Sequence, residues 1–178
     1  HRAGKTAHPL MKKYGVDATR YLIMGAAVFG HDGDISWEKL NDKYNADLAN
    51  GLGNLVARVS NLVEKNKLAL KLKIDSDKKL SKAYKENMEN FKFDQALKLL
   101  WQKLRIADEI LSDKKPWKID PSAGSGRAEI KNILEPVAQD IFNAASLLKP
   151  FMPTVAEKII KQFSAKQIKK GEALFPRV

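Results

Sequence analysis

The chain has 178 residues, 44 % of them apolar, enough to enclose one sizeable core. It has no cysteine, which excludes disulfides and thiolate zinc sites and suits a reducing compartment such as the cytoplasm. No signal-peptide pattern opens it and no apolar run approaches the roughly 18 residues needed to cross a bilayer, so no membrane partner is expected. Lys and Arg number 32 against 21 Asp and Glu, a net charge of +11. That surplus favours a polyanionic partner such as nucleic acid, with a lysine-rich surface serving solubility as the plainer account. The run Lys65–Lys85 holds eight lysines, which supply long-range attraction rather than base reading.

A short helix is predicted from about Pro9 to Tyr14, ended by Gly15, and a second over Val16–Met24 with Asp17 in its first turn. Gly30–Gly33 reads as a loop. Ser36 stands as an N-cap, with Lys39 where a capping box wants Glu or Gln. No proline occurs between Pro9 and Pro116, and from Trp37 the apolar residues fall at helical spacing: Leu40, Tyr44, Leu48, Leu52, Leu55, Val59, Leu62. They predict one long helix ending near Lys67. Further helices are predicted over Asp77–Asn90, and from Phe93 to Leu111 with Ala96, Leu97, Leu100, Leu104, Ala107 and Leu111 inward. A fourth follows from Arg127 to Leu148, where Pro136 marks a kink or a restart, and a last one runs to Phe163 from a cap at Thr154. Lys114–Gly126 is a loop and Lys166–Val178 a tail. No long stretch alternates as a strand does, so the expected class is all-α, an antiparallel helix bundle over residues 36–178 preceded by a short segment, residues 1–35.

At about 100° per residue, Leu48, Leu52, Leu55, Val56, Val59, Leu62 and Val63 of the long helix share one face. Asn54, Arg58, Asn61 and Lys65 share the opposite one. A solvated face is the ordinary account of such a stripe. Two features argue for more: the stripe holds amides and cations with no acid before Glu64, and Gly51 and Gly53 stand in mid-helix, each costing about 1 kcal/mol against alanine. Glycines there permit close approach of a backbone or a ligand, and packing between helices accounts for one of them equally well. Arg58 offers a planar fork of donors and Asn54 both a donor and an acceptor, the chemistry that reads base edges. Trp117 follows Pro116 at a helix end in a lysine-rich loop. A proline before it stiffens it, so a base stacking on the indole would lose little entropy; a tryptophan folded onto the core is the alternative. Trp37 and Trp101 read as core residues. An amide and a guanidinium beside a stacking plate suit unpaired RNA bases.

These segments resemble the C-terminal part of the methionyl-tRNA synthetase family. YGVDATRY at Tyr14–Tyr21 is similar to the stem-contact segment that follows the signature loop of class I synthetases. DGDISWEKL at Asp32–Leu40 is similar to the approach to the anticodon-binding helix, and NADLANGLGNLVARV at Asn45–Val59 to that helix itself. KPW at Lys115–Trp117, LKPFMPTVAEKI at Leu148–Ile159 and LFPRV at Leu174–Val178 complete an ordered set that covers nearly the whole chain. The resemblance implies an anticodon-binding bundle over residues 36–178 and a stem-contact remnant over residues 1–35. It implies that Asn54, Arg58 and Trp117, with Pro116, Asn61 and Asp108 beside them, meet the CAU anticodon of a tRNA stem-loop, the tryptophan by stacking and the polar residues through base edges.

Two departures stand out. The family often has asparagine where Asp108 stands; an acid there repels phosphates unless it accepts from a base amine or lies buried. RAGKTAHP stands where the family commonly shows a form of SLGNVVDP, so His1 and Arg2 are not read as part of a catalytic loop. No HIGH-type motif and no nucleotide-binding βα pattern is present, and His1, His8 and His31, read as ordinary loop histidines, show no ligand spacing. The expectation is therefore a fragment of a methionine–tRNA ligase, inactive alone, with no catalytic residue, metal or cofactor of its own. ATP and methionine would bind the missing catalytic domain, which with tRNA is the expected partner. Two competitors remain at this level: the bundle of a valyl, leucyl, isoleucyl or cysteinyl enzyme, and a basic helical adaptor for an acidic protein or surface.

Overall fold

The computed structural model describes residues 7–26, 36–74 and 77–177. Its helices are α1 (Ala7–Tyr14), α2 (Val16–Ala26), α3 (Trp37–Lys43), a π-helical segment (Tyr44–Gly53), α4 (Asn54–Lys65), α5 (Lys78–Glu89), α6 (Phe93–Lys114), a 3₁₀ turn (Pro116–Lys118), α7 (Gly126–Leu148) and α8 (Pro153–Phe163). No strand occurs among the described residues, and the class is all-α. The loop expected at Gly30–Gly33 lies outside the described residues, as do His1 and His31. His8 is exposed within α1 rather than in a loop.

The core includes the inward faces that the spacing predicted on the long helix and α6, together with residues of α1, α2, α7, α8 and the tail. Leu48, Leu52, Leu55, Val56, Val59, Leu62 and Val63 are all buried, as are Ala96, Leu97, Leu100, Leu104, Ala107 and Leu111 of α6. α6 packs along α7, α7 against α8, α4 against α7, and α5 against α6. Pro136 does not restart α7, which runs through it unbroken. The stretch after α4 runs along α7: Glu135 accepts from Lys71 N at 2.7 Å, and Gln139 one turn on accepts from Lys73 N at 2.9 Å and donates to Lys73 O at 2.7 Å.

Several local details differ from expectation. Ser36 does cap α3, its Oγ accepting from Lys39 N at 3.2 Å. Thr154 does not cap α8; its first turn is satisfied from afar, Asp17 Oδ2 accepting from Val155 N at 2.7 Å. Arg20, one turn on in α2, donates to the carbonyls of Phe151 and Pro150 at 3.1 and 2.6 Å. A charged cap on a neighbouring helix does the work of a local one. Trp37 is not a core residue. It opens α3, is 47 % exposed, and lies tilted on Tyr14 with ring centroids 6.4 Å apart and the Lys13 ammonium 5.6 Å from its own centroid. The first turn of a helix projects beyond the layer that would cover it.

The long helix is continuous in direction but not in register. Backbone angles stay right-handed at Lys43, Tyr44, Gly53 and Asn54, yet the middle ten residues are π-helical, and Asn54 N–H donates to Ala49 O five residues back. The apolar spacing agrees with a wider turn. Leu40, Tyr44, Leu48 and Leu52 recur in steps of four, each overshooting an α-helical turn by about 40°. This register explains both mid-helix glycines without a ligand. A Cβ on Gly51 would lie 3.0 Å from Ala46 O, and one on Gly53 would lie 2.9 Å from Leu48 O and 3.3 Å from Phe175 Cδ2. The tail after α8 is bolted onto the same segment: Phe175 is buried, Tyr44 donates to Pro176 O at 2.7 Å, and Arg177 donates to Asn50 at 3.1 Å.

Gly53→Ala should therefore reverse the usual gain of Gly-to-Ala in a helix and lower stability by about 1–3 kcal/mol, the range for overpacking. Urea denaturation of parent and variant measures it, and a stabilised variant would contradict the close carbonyl contact.

Candidate RNA-binding site

The outward stripe of α4 emerges as predicted from the burial of its other face. Asn54 and Asn61 are exposed, and Arg58 between them is partly buried, its side chain 30 % accessible. Asn54 makes no side-chain hydrogen bond with any described residue. It stands one helical turn before Arg58 and so flanks the guanidinium rather than bonding to it.

Trp117 is delivered by the end of α6. Lys115 takes a left-handed conformation (φ 46°, ψ 54°), its N–H closing on Leu111 O at 3.2 Å, which stops the helix and turns the chain. Pro116 is buried and packs, with its 3₁₀ turn, against α7. The next residue is thereby thrown outward: Trp117 is 47 % exposed. The Arg58 guanidinium carbon lies 5.4 Å from the centre of its ring, within cation–π range. One face of the indole is thus partly covered by a cation and much of the rest is open.

Asp108 fixes the guanidinium from the other helix. It sits on α6 on the side facing α4, and its Oδ1 accepts from Arg58 Nη1 at 2.7 Å. At this distance the bond is a strong charge-assisted one in form, although half-exposure to water limits its net contribution to about 1 kcal/mol. Its structural effect is to hold Arg58 in one place and cancel its net charge. The structure therefore brings Arg58, Asp108, Trp117 and Pro116 into one cluster, with Asn54 and Asn61 one turn to either side of Arg58 on α4.

A groove of about 440 Å³ runs beside this cluster, between the π-helical segment and α6. Asp108 lies on its wall with Asp47, Asn50, Trp101 and Arg105, and Gly51, Leu52 and Leu55 contribute from the π-helical segment and α4. Trp101 stacks on Tyr21 at 4.6 Å, and its buried Nε1 has no acceptor among the described residues. Tyr21 donates to Asp47 Oδ2 at 2.6 Å, and Lys43 Nζ lies 2.8 Å from the same oxygen. Burial, and then the Asp47 charge, hold the Tyr21 phenol far above its ordinary pKa, so it remains a donor. Sequence reasoning missed this groove. Its signal was the run of four-residue apolar steps through the π-helical segment.

Residues 75–176 match the family described as the anticodon-binding domain of tRNA ligase, and residues 3–60 match class I tRNA synthetases of the M group. The chain belongs to the anticodon-binding domain family of tRNA ligases. Its relatives include methionyl enzymes. A methionine–tRNA ligase of Caldanaerobacter subterraneus subsp. tengcongensis is 30 % identical over 95 % of this chain and 31 % of the relative, and that of Bacillus subtilis is 29 % identical over 95 % and 30 %. The structure of apo methionyl-tRNA synthetase from Mycobacterium tuberculosis superimposes with a TM-score of 0.82 at 26 % identity, covering 97 % of this chain and 40 % of that one. The chain spans about a third of the length of the curated relatives it matches.

If these residues serve a surface function, they should be nearly neutral for folding. Asn54→Ala should change the free energy of unfolding by under about 0.5 kcal/mol and Trp117→Ala by under about 1 kcal/mol, as expected of surface side chains. Urea midpoints measure both. A loss of several kcal/mol at Trp117 would make it part of the core instead.

Proposed function

We propose that this chain is the anticodon-reading part of a methionine–tRNA ligase, binding the CAU anticodon loop of its tRNA. Asn54, Arg58, Trp117, Pro116, Asn61 and Asp108 form the contact. In this reading residues 1–35 touch the tRNA stem, the adjoining catalytic domain activates methionine with ATP, and the enzyme works in the cytoplasm. The fragment supplies discrimination rather than chemistry.

The observation that carries this reading is the Trp117 ring, half-exposed at the end of a buried-proline turn and 5.4 Å from the Arg58 guanidinium. An open indole beside a fixed donor fork suits a flipped-out base, which needs a plate for its face and partners for its edge. The net charge of +11 supports a polyanionic partner and calls for measurements at constant salt.

Trp117→Ala should weaken binding to a CAU stem-loop by about tenfold or more, since base–aromatic stacking contributes about 1–3 kcal/mol. Fluorescence anisotropy at fixed ionic strength tests this, and equal binding by variant and parent would reject the stacking role. Arg58→Ala should narrow the gap between CAU and altered anticodons in the same titration. If it weakens all loops by one factor, Arg58 makes an electrostatic contact only.

A further inference from the structure

We infer that the pocket between the end of α4 and the segment after α8 is a second RNA contact, one that holds a backbone phosphate and reads no base. This rests on the RNA-binding reading above and adds to it a site for the sugar–phosphate chain.

The pocket encloses about 540 Å³. Its floor is apolar: Val63 of α4, Leu68 just beyond that helix and Ile168 of the tail, all buried. Lys67, Lys166 and Lys169 line it from the rim, all exposed. None of the three has a carboxylate within ion-pair distance among the described residues, whereas Lys43, Lys85 and Lys103 each have one. Glu64, the acid on the lining, is engaged elsewhere, its Oε2 accepting from Lys170 N at 2.8 Å. The carbonyls that a helix end exposes are taken too. Leu62 O is met by Asn66 N and Nδ2, Val63 O by Leu68 N, Glu64 O by Lys67 N, and Lys67 O by Arg127. Three cations therefore line a space whose nearby acceptors are already satisfied. The tail that carries two of them is fixed at both sides, to α4 through Glu64 and to α8 through Gln162, whose Nε2 donates to Lys169 O at 2.6 Å.

A hollow with an apolar floor and a cationic rim fits an amphipathic anion. A nucleotide is one: its sugar and the face of its base cover apolar atoms, and its phosphate meets the ammonium groups. Lysine holds a phosphate as a point charge and lacks the planar fork that reads a base edge. The position agrees. Arg58, Asn61 and Glu64 follow one another in steps of three along α4, each about 60° further round and about 4.5 Å further along the axis. They form a ridge from the Trp117 side of the helix to the lip of the pocket, with Asn61 exposed midway. A strand whose base meets Trp117 thus has an open path of about 9 Å along the axis to the lysines.

The test is a salt series of stem-loop binding by the whole chain. Replacing Lys67→Gln, Lys166→Gln and Lys169→Gln together should flatten the log–log salt slope by about 0.7 for each phosphate held, which is about fivefold weaker binding at 0.1 M salt. The gap between CAU and altered anticodons should not change. Glutamine at three exposed positions should leave the thermal melt in place. The same charge change on α5 and the turn after it, Lys79→Gln, Lys82→Gln and Lys92→Gln, should flatten the slope far less; an equal effect would make it one of net charge and overturn the inference. Stem-loops with one methylphosphonate at each loop linkage in turn locate the contact. At one linkage or two adjacent ones the neutral ester should cost the parent about fivefold and the pocket variant almost nothing, a double-mutant cycle on the contact itself. Equal costs in both proteins at every linkage overturn the inference. So does displacement of RNA by inorganic phosphate at matched ionic strength with no linkage effect, which marks a small-anion site. These outcomes all require bound RNA and leave the RNA-binding reading standing. No binding of any stem-loop by the parent overturns that reading, and the inference falls with it.

Discussion

Leu55, Val56, Val59, Leu62 and Val63 are buried on one side of α4, and that burial sets the helix's rotation about its own axis. Each such side chain contributes about 1.5–3 kcal/mol when removed from water. Turning α4 by one residue's angle would expose several at once, at a cost comparable to the whole net stability of a domain. The helix therefore has no freedom to choose which residues face outward. Arg58 and its asparagine neighbours are where they are because aliphatic residues elsewhere on the same helix demand it. Everything at the candidate site inherits its orientation from this packing.

The second half of the site is held by a different device. At Pro116 and Trp117 two adjacent residues have opposite fates, one buried against α7 and the other half in water. A left-handed lysine ends α6, the proline is driven into the core, and the indole goes outward by elimination. The Arg58–Asp108 bond then spans from α4 to α6, so that a fork on one helix and a plate at the end of another share a frame. Pre-organisation of this kind lowers the ordering cost when a ligand arrives.

Much of this was legible in the chain. Apolar spacing with its capping and breaking residues located the α-helices among the described residues and the inward faces of α4 and α6, and the outward stripe at Asn54, Arg58 and Asn61 followed from the same wheel; the 3₁₀ turn Pro116–Lys118 fell in a predicted loop. Lys115–Trp117 also read as a helix end carrying a tryptophan, with stacking on a base and folding back onto the core both open. What escaped was long-range or a matter of register. That Asp108 would meet Arg58 depends on how α6 lies against α4, which no local pattern encodes. Trp37 looked like core because it begins an apolar series, yet it lies past the edge of the layer that covers the rest. Gly51 and Gly53 suggested close approach of a backbone or a ligand; the carbonyls five residues back and the Phe175 ring make that approach. Thr154 had the chemistry of a cap, but Asp17, already charged and facing the same N–H groups, took the role.

That last contact has a kinetic side. The partners Asp17 and Val155 are 138 positions apart, and Arg20 repeats the link to the turn just before α8. The hairpin of α6 and α7, and α8 against α7, can assemble from neighbours in the chain, but the first turn of α8 gains its cap only when α2 has docked. Closing so large a loop is slow, because its entropy is lost before any contact repays it. α1 and α2 would thus be the last helices of this bundle to seat, acting as a clasp on a body that has formed without them.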